Sequence, residues 1–483
     1  MKTVTNWING KWVDSGVHKD SFNPATGEKI GTYADGGKQE AEQAIAAALA
    51  AFKDSDWKSN RPLRYQVLNE LAHQFEVYES ELVELLSLEN GKIKGEAAFE
   101  FSMVAPKLRY YAAQVLTQTG RALETKPGSY SMVLTEAIGV AGIIAPWNSP
   151  IILMIRSLAP ALAAGCTAVI KMPAQTAQIN AKINEVFASV KSLPQGVINQ
   201  FTESGSDGAA LLVESKDVPT ISYTGSTQTG KILMRNGAPQ LKKFGFELGG
   251  KTPMLVFNDA NLEAAVPALE KAITVFAGQF CMTGSRILVQ RGIADALIEK
   301  LGKRLAEVKV GPASDGSSDM GPMIDRANVD RVDQVVEKAI AEGAKVLVRG
   351  GKAREGKLTV GAFYHPTLLL VTDNSMAIVQ EETFGPVATV QVFDTAEEAI
   401  ALANDNVYGL AASVWSTDVD LPLQVVRALD AGTVWINDWA QVNDEFEEGG
   451  YKYSGLGRLN GLGALEDFLE HKHIYHHAGV LKA

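Results

Sequence analysis

The chain predicts an α/β protein built on parallel sheets. Short β-rich runs alternate with stretches of helical apolar spacing through its middle, and a second alternation of the same kind follows the first. At 483 residues the chain exceeds what one core supports, so the two alternations read as two domains in series. Composition agrees: 46% hydrophobic and 21% charged residues, with 44 glycines spread along the chain, describe a folded protein with many tight turns and no low-complexity segment.

A strand-rich start holds the turn "NPATGE" (Asn23 to Glu28). Apolar residues then recur at helical spacing from Lys38 to Phe52, Arg61 to Asn90 and Glu96 to Val115. "GSYSMVLTEAIGV" (Gly128 to Val140) reads as a hairpin set before the first parallel strand. The first alternation carries "GVAGIIAP", "TAVIK", "GVINQFT", "TISYTG" and "TPMLVF"; the second carries "SRILVQ", "AKVLVRG", "HPTLLLV", "ATVQVF", "LAASVWS" and "GTVWIN". "IILMIRSLAPALAAGCTAVI" (Ile151 to Ile170) approaches spanning length, but Arg156 and Pro160 interrupt it, so it reads as a buried helix and a buried strand. The tail "EHKHIYHHAG" holds four of the seven histidines without carboxylates at ligand spacing; it reads as a solvated or interface strand, and no metal is expected.

Several function classes fall away. Net charge is −11 with no basic cluster, which argues against nucleic acid. The polar N-terminus has no apolar run of signal-peptide type, and Cys166 and Cys281, the two cysteines present, cannot form a disulfide framework. A cytoplasmic protein with no membrane partner is expected. Cys166, between a helix and the strand "TAVIK", reads as a buried small hydrophobe.

Five stretches could carry chemistry, and each alone has a plain structural reading. In "YTGSTQTGK" (Tyr223 to Lys231) a β-run ends at Gly225-Ser226 and a helix opens near Gly230; its N–H groups can face a pyrophosphate, or the turn is an ordinary β–α connection. Lys171 ends "TAVIK", where a cation can meet a ribose or phosphate or merely be solvated. Glu247 in "FELGGK" is a cleft carboxylate or a turn-capping acid. Asn148 in "APWNSP" can donate to an oxyanion or cap the next helix. Cys281 in "AGQFCMTGSR" sits among small and hydroxyl residues; composition alone favours a buried thiol over a nucleophile.

Taken together and in order, "PWN", "TGSTQTG", "FELGGK", "GQFC" and "EETFGPV" (Glu381 to Val387) resemble the aldehyde dehydrogenase family, over nearly the whole chain from "NPATGE" to "GGYKYSGLGR" (Gly449 to Arg458). The resemblance is greatest to benzaldehyde, salicylaldehyde and vanillin dehydrogenases. It implies two Rossmann-like parallel-sheet domains and a small β oligomerisation arm. The cofactor domain would span 1–116 and 138–249, the catalytic domain 250–449, and the arm 117–137 and 465–483, forming a homodimer or homotetramer. Exposed edges on the hairpin and the C-terminal strand point the same way.

The resemblance also implies roles. Cys281 would attack an aldehyde carbonyl, the Asn148 amide and the Cys281 N–H would hold the oxyanion, and Glu247 would activate the hydrolytic water. For an NAD cofactor, Lys171 would meet the ribose, Gly225, Ser226 and Gly230 the pyrophosphate, and Glu382 and Phe384 the nicotinamide end. Ile144, Pro146, Trp147, Ala174, Gly205 and Leu248 would complete that crevice. Met103, Phe280, Met282, Trp439 and Val442 would wall the substrate pocket, with Ser149 and Arg156 at places where many relatives have aromatics.

Two departures matter. The glutamate that most relatives carry three residues after the ribose lysine is missing at Ala174, and at Gln175 if Met172 is an insertion; a carboxylate there would repel a 2′-phosphate, so both NAD and NADP are expected to be accepted. Arg156 can bind a phenolic or carboxylate oxygen or stack on an arene, or it pairs with an acid such as Asp438 or Glu448. Glu448 itself replaces an aromatic found before "GGYK" in many relatives. The alternatives to aromatic aldehyde oxidation are a semialdehyde or aliphatic aldehyde dehydrogenase, a CoA-acylating enzyme, against which Glu247 argues, and a non-catalytic protein on the same fold.

Overall fold

The computed structural model describes residues 3–117 and 120–481; the parts of the expected domain and arm limits at 1–2, 118–119 and 482–483 lie outside the described residues. Two sheets organise the chain. The first has eight strands, with a parallel centre ordered Lys243–Glu247, Thr220–Thr224, Val140–Ile144, Thr167–Pro173, Ile198–Glu203. Antiparallel strands close its edges: Gly455–Leu456 on one side, Asn6–Ile8 and Lys11–Val13 on the other.

Among the parallel strands Val140–Ile144 is first in sequence but central in space, so the chain winds outward in one direction through Thr167–Pro173 and Ile198–Glu203, then returns to its other side with Thr220–Thr224. Such a reversal leaves a crevice at the carboxyl ends of the two strands that part there. Asn148 and Gly225 follow those ends. The helix Pro150–Ala164 begins with proline at its first position and ends at Gly165, whose φ of 101° needs a residue without a Cβ. Nearly every residue of this helix is buried, which is why its sequence looked membrane-like.

The second sheet has seven strands in the order Lys345–Val348, Thr367–Leu370, Val387–Phe393, Arg286–Gln290, Pro253–Val256, Ala411–Trp415, Thr433–Ile436. All are parallel except Lys345–Val348, which runs antiparallel at the edge. Pro253–Val256, expected at the end of the first alternation, instead lies inside this sheet. A third, antiparallel sheet of Arg121–Lys126, Ser129–Ala137 and Leu469–His477 projects as a small arm. The predicted hairpin thus sits further upstream than 128–140: its first strand is the polar run Arg121–Lys126, which lacks a buried face to mark it. Among the described residues no helix is long and apolar enough to cross a membrane.

Candidate active site

Cys281 lies on a loop held in an unusual backbone state. Phe276, Ala277 and Gly278 have φ of 52°, 53° and 70° in succession. Left-handed backbone at two side-chain-bearing residues persists only where packing enforces it. A Cβ on Gly278 would fall 2.2 Å from the Gly385 carbonyl carbon, and one on Gly250 would fall 2.3 Å from the Cys281 carbonyl oxygen. Glycine is therefore required on both sides of the Cys281 loop. Gln279 fixes the loop further: its amide nitrogen donates to the Phe276 carbonyl (3.0 Å) and its amide oxygen accepts from Ile324 N–H (2.9 Å).

Asn148 reaches this loop, donating from Nδ2 to the Gln279 carbonyl at 3.0 Å. Its own carbonyl accepts from Lys92 Nζ, which also donates to Glu100 Oε2 (2.6 Å) and to the Ser149 hydroxyl (3.2 Å). Because an amide nitrogen carries two hydrogens, one remains for a developing oxyanion. The Cys281 N–H makes no hydrogen bond among the described residues. Lys92 and Glu100 were not foreseen from sequence; Lys92 lies in the short connection between two helical segments and Glu100 within the second, and a buried Lys–Glu pair is visible only once these are folded together.

Glu247 ends the strand Lys243–Glu247, between Thr224 and Gly455 of its neighbours. Its carbonyl accepts from Gly225 N–H at 2.9 Å, which locks the glycine turn to the acid. Both carboxyl oxygens are buried and without a hydrogen-bond partner in the described structure. Burial pushes this carboxyl up to about 8, against the pull of Arg156 and with the help of Glu448. Burial also raises the Cys281 thiol, again opposed by Arg156. Arg156 is thus the cation that acts on both Cys281 and Glu247. It is 5% exposed, donates to Glu448 Oε1 at 3.2 Å and to the Thr224 hydroxyl at 3.5 Å, and is held above its usual pKa because Glu448, Glu247 and Cys281 outweigh the effect of burial. Of the alternatives open for Arg156, the structure shows the pair with Glu448.

The carboxyl end of the first sheet fits a dinucleotide. The strand Thr220–Thr224 leads through Gly225 into the helix Thr227–Gly237, which opens earlier than the expected position near Gly230 because Ser226 caps it, accepting from Thr229 N–H at 3.2 Å. A Cβ on Gly225 would fall 2.2 Å from the Tyr223 hydroxyl, and one on Gly230 would fall 2.8 Å from Leu248 Cδ2. The turn is bare by steric necessity, which suits a phosphate approaching a helix N-terminus. Across the crevice Trp147 and Phe384 meet edge to face at 5.5 Å. Phe384 has a φ of 51°, and Glu382, half-buried and raised to about 7 by its desolvation, accepts from Gly250 N–H at 3.0 Å. Ile144 ends its strand, with Pro146 just beyond it and half-buried. Lys171 and Ala174 lie at the far lip with Gly205.

The substrate residues divide. Phe280 packs edge to face on Trp439 at 5.9 Å and on Phe276 at 5.8 Å, forming an aromatic wall beside Cys281. Trp439 is fixed by its indole N–H donating to the Met282 carbonyl at 2.9 Å. Met282 is a correction: its side chain is 1% exposed and packs in the core of the second sheet, because the residue after Cys281 turns inward. Ser149 is likewise turned away, buried on Lys92. Met103 is half-buried against the first core, and Val442 is 38% exposed. Cys166 is buried with its thiol raised to about 11 by that burial, as an inert thiol should be.

The model of the aldehyde dehydrogenase family matches residues 12–474. The betaine aldehyde dehydrogenase of Bacillus subtilis (strain 168) is 39% identical over 475 residues, covering 98% of this chain and 97% of that protein. Aldehyde dehydrogenase family 2 member C4 of Arabidopsis thaliana is 36% identical over 98% of this chain and 95% of its own length. Among solved structures, the betaine aldehyde dehydrogenase of Staphylococcus aureus in complex with NAD+ is similar at a TM-score of 0.96 and 36% identity, covering 99% of this chain and 96% of that one. With Cys281 on a loop bounded by close-packed glycines, a buried Glu247 and a bare turn at Gly225, the chain belongs to the aldehyde dehydrogenase family.

Proposed function

We propose that the protein oxidises an aromatic aldehyde to the carboxylic acid with NAD, as a homodimer or homotetramer. The reaction class rests on the family membership together with the convergence of Cys281, Asn148 and Glu247. The Cys281 thiolate forms a C–S bond to the aldehyde carbon, and the resulting oxyanion accepts from the free Asn148 N–H and the Cys281 N–H. The bound dinucleotide supplies the hydride acceptor for the oxidation. A thioester on Cys281 remains. Glu247, ionised, takes a proton from water as that water attacks the thioester carbon, and the thiolate leaves with the C–S bond.

The observation that carries the substrate class is the buried Arg156 guanidinium, which biases the charge of both Cys281 and Glu247. A cation there repels an ammonium-bearing aldehyde, while the Phe280–Trp439 wall offers an arene edge and face contacts. A second reading, a quaternary ammonium aldehyde, is supported by the names of the similar Bacillus subtilis and Staphylococcus aureus enzymes and by Glu448, whose carboxylate would attract a cation. A panel of benzaldehyde, betaine aldehyde and propanal with NAD separates them. Benzaldehyde should give a kcat/KM at least about tenfold above the others, the scale that pocket contacts set; the highest value for betaine aldehyde would reverse the assignment.

A further inference from the structure

The acid missing beside Lys171 has a substitute one strand away. Strands Thr167–Pro173 and Ile198–Glu203 run parallel with Phe201 opposite Lys171 and Glu203 opposite Pro173. That register sets Glu203 at the same lip of the sheet as Ala174. Glu203 is 2% exposed. Its two oxygens accept from the backbone N–H of Gly208 at 2.7 Å and of Ala209 at 3.2 Å, so the carboxylate is pinned on the first turn of the helix Asp207–Glu214. A Cβ on Gly205 would lie 4.0 Å from Glu203 Oε1, which puts the acid alongside a glycine of the nucleotide crevice.

The surrounding charges are few. Lys171 and Glu203 act on each other, and Asp35 and Asp207 add negative charge to the same corner. Asp35 is already engaged, by Lys19 at 2.8 Å and by the Ser204 N–H and hydroxyl, both at 2.7 Å. Glu203 uses one lone pair on each oxygen for the helix and keeps the others for a ligand hydroxyl.

We propose that Glu203 sets cofactor choice in this chain: its carboxylate accepts from a hydroxyl of the adenosine ribose and repels a 2′-phosphate, so NAD is taken and NADP refused although Ala174 carries no acid. The N–H groups of Gly208 and Ala209, which could otherwise have welcomed a phosphate, are already spent on this carboxylate. The proposal rests on the NAD-dependent reading, with the adenosine ribose beside Lys171.

Binding and turnover together test it. In the wild-type protein, calorimetry should find adenosine 5′-monophosphate bound at least about tenfold more tightly than adenosine 2′,5′-bisphosphate, and kcat/KM for NAD should exceed that for NADP about 100-fold, as like-charge juxtaposition requires. Glu203→Gln keeps a side-chain acceptor for the helix N–H groups and should raise the NADP-to-NAD ratio of kcat/KM at least about tenfold. A wild-type protein that binds the two nucleotides equally, or a Gln variant with an unchanged ratio, overturns the assignment. Lys171→Ala separates the layers. If it leaves the KM for NAD unchanged, the adenosine is elsewhere and the cofactor placement falls with Glu203; if that KM rises while Glu203→Gln changes nothing, the placement stands and Glu203 alone is refuted.

Discussion

Burial that pushes Glu247 up to about 8 keeps its carboxyl protonated at neutral pH, so the base form grows as pH rises through that value. Thioester hydrolysis should therefore accelerate between about pH 7 and 9, read as the steady-state rate after an NADH burst. Glu247→Gln should lower kcat by about 10²–10⁴ and leave the burst. The same raised pKa affects stability. The folded state holds the Glu247 proton more tightly than the unfolded chain, whose carboxyl titrates near 4.5; its stabilising effect is complete below 4.5 and is lost as pH climbs to about 8. Gln cannot ionise, so denaturant unfolding should find the variant gaining on wild type from pH 5 to pH 9. A loss instead would mean that the charged carboxylate is satisfied in the fold. For Asn148→Ala, the loss of one oxyanion donor should cost about 10²–10³ in kcat, with the burst itself slowed because the donor acts before the thioester forms.

Between elements, the helix Pro150–Ala164 and the segment ending at Glu448 are joined by the Arg156–Glu448 pair, which continues from Glu448 Oε2 to Asn460 Nδ2 at 3.0 Å and from Asn460 to Lys107 Nζ at 2.6 Å. Removing one member of a buried pair leaves the other uncompensated, so Arg156→Ala should lose about 3–5 kcal/mol of stability. The double variant Arg156→Leu with Glu448→Gln should recover most of it in urea titration; if it stays as unstable as the single variant, the cost comes from packing and not from the stranded charge. This level of organisation marks where sequence reading ends. The parallel strands and the buried helix were legible because apolar runs and glycine stops are local. The family to which Cys281, Glu247 and Asn148 point was legible because their motifs kept order. The antiparallel direction of Lys345–Val348 was not, since the run "AKVLVRG" marks a strand without marking how it pairs, and neither was Arg121–Lys126, which has no buried face to mark it. Nor were Lys92 and Glu203, whose meaning comes from register with a distant strand or loop, or the inward turn of Met282, which neighbours the nucleophile in sequence and faces the core in space.

At the scale of the molecule the arm is anchored in the first core at Ala137 and Leu469 and is largely exposed beyond them. Leu123 on its outer strand pairs with Ser131, and Tyr475 on the opposite strand pairs with the same residue, so the two side chains share one face of the three-stranded sheet. They are 68% and 59% exposed in a single chain. Leu134 and Tyr130, on the other face, are 46% and 40% exposed. Apolar side chains on a sheet with open edges suit an association surface, and a second copy of the chain is the partner that the proposed homo-oligomer would place there. Sedimentation velocity at micromolar concentration should find the wild-type protein as a dimer or tetramer. Leu123→Glu with Tyr475→Glu should shift it toward monomer, because both changes place charge on the covered face while leaving the backbone ladder to Ser129–Ala137 intact. Circular dichroism should stay that of wild type, which separates loss of assembly from loss of fold. A wild-type protein that sediments as a monomer, or a double variant that stays fully assembled, would show that the arm is not the contact that holds the subunits together.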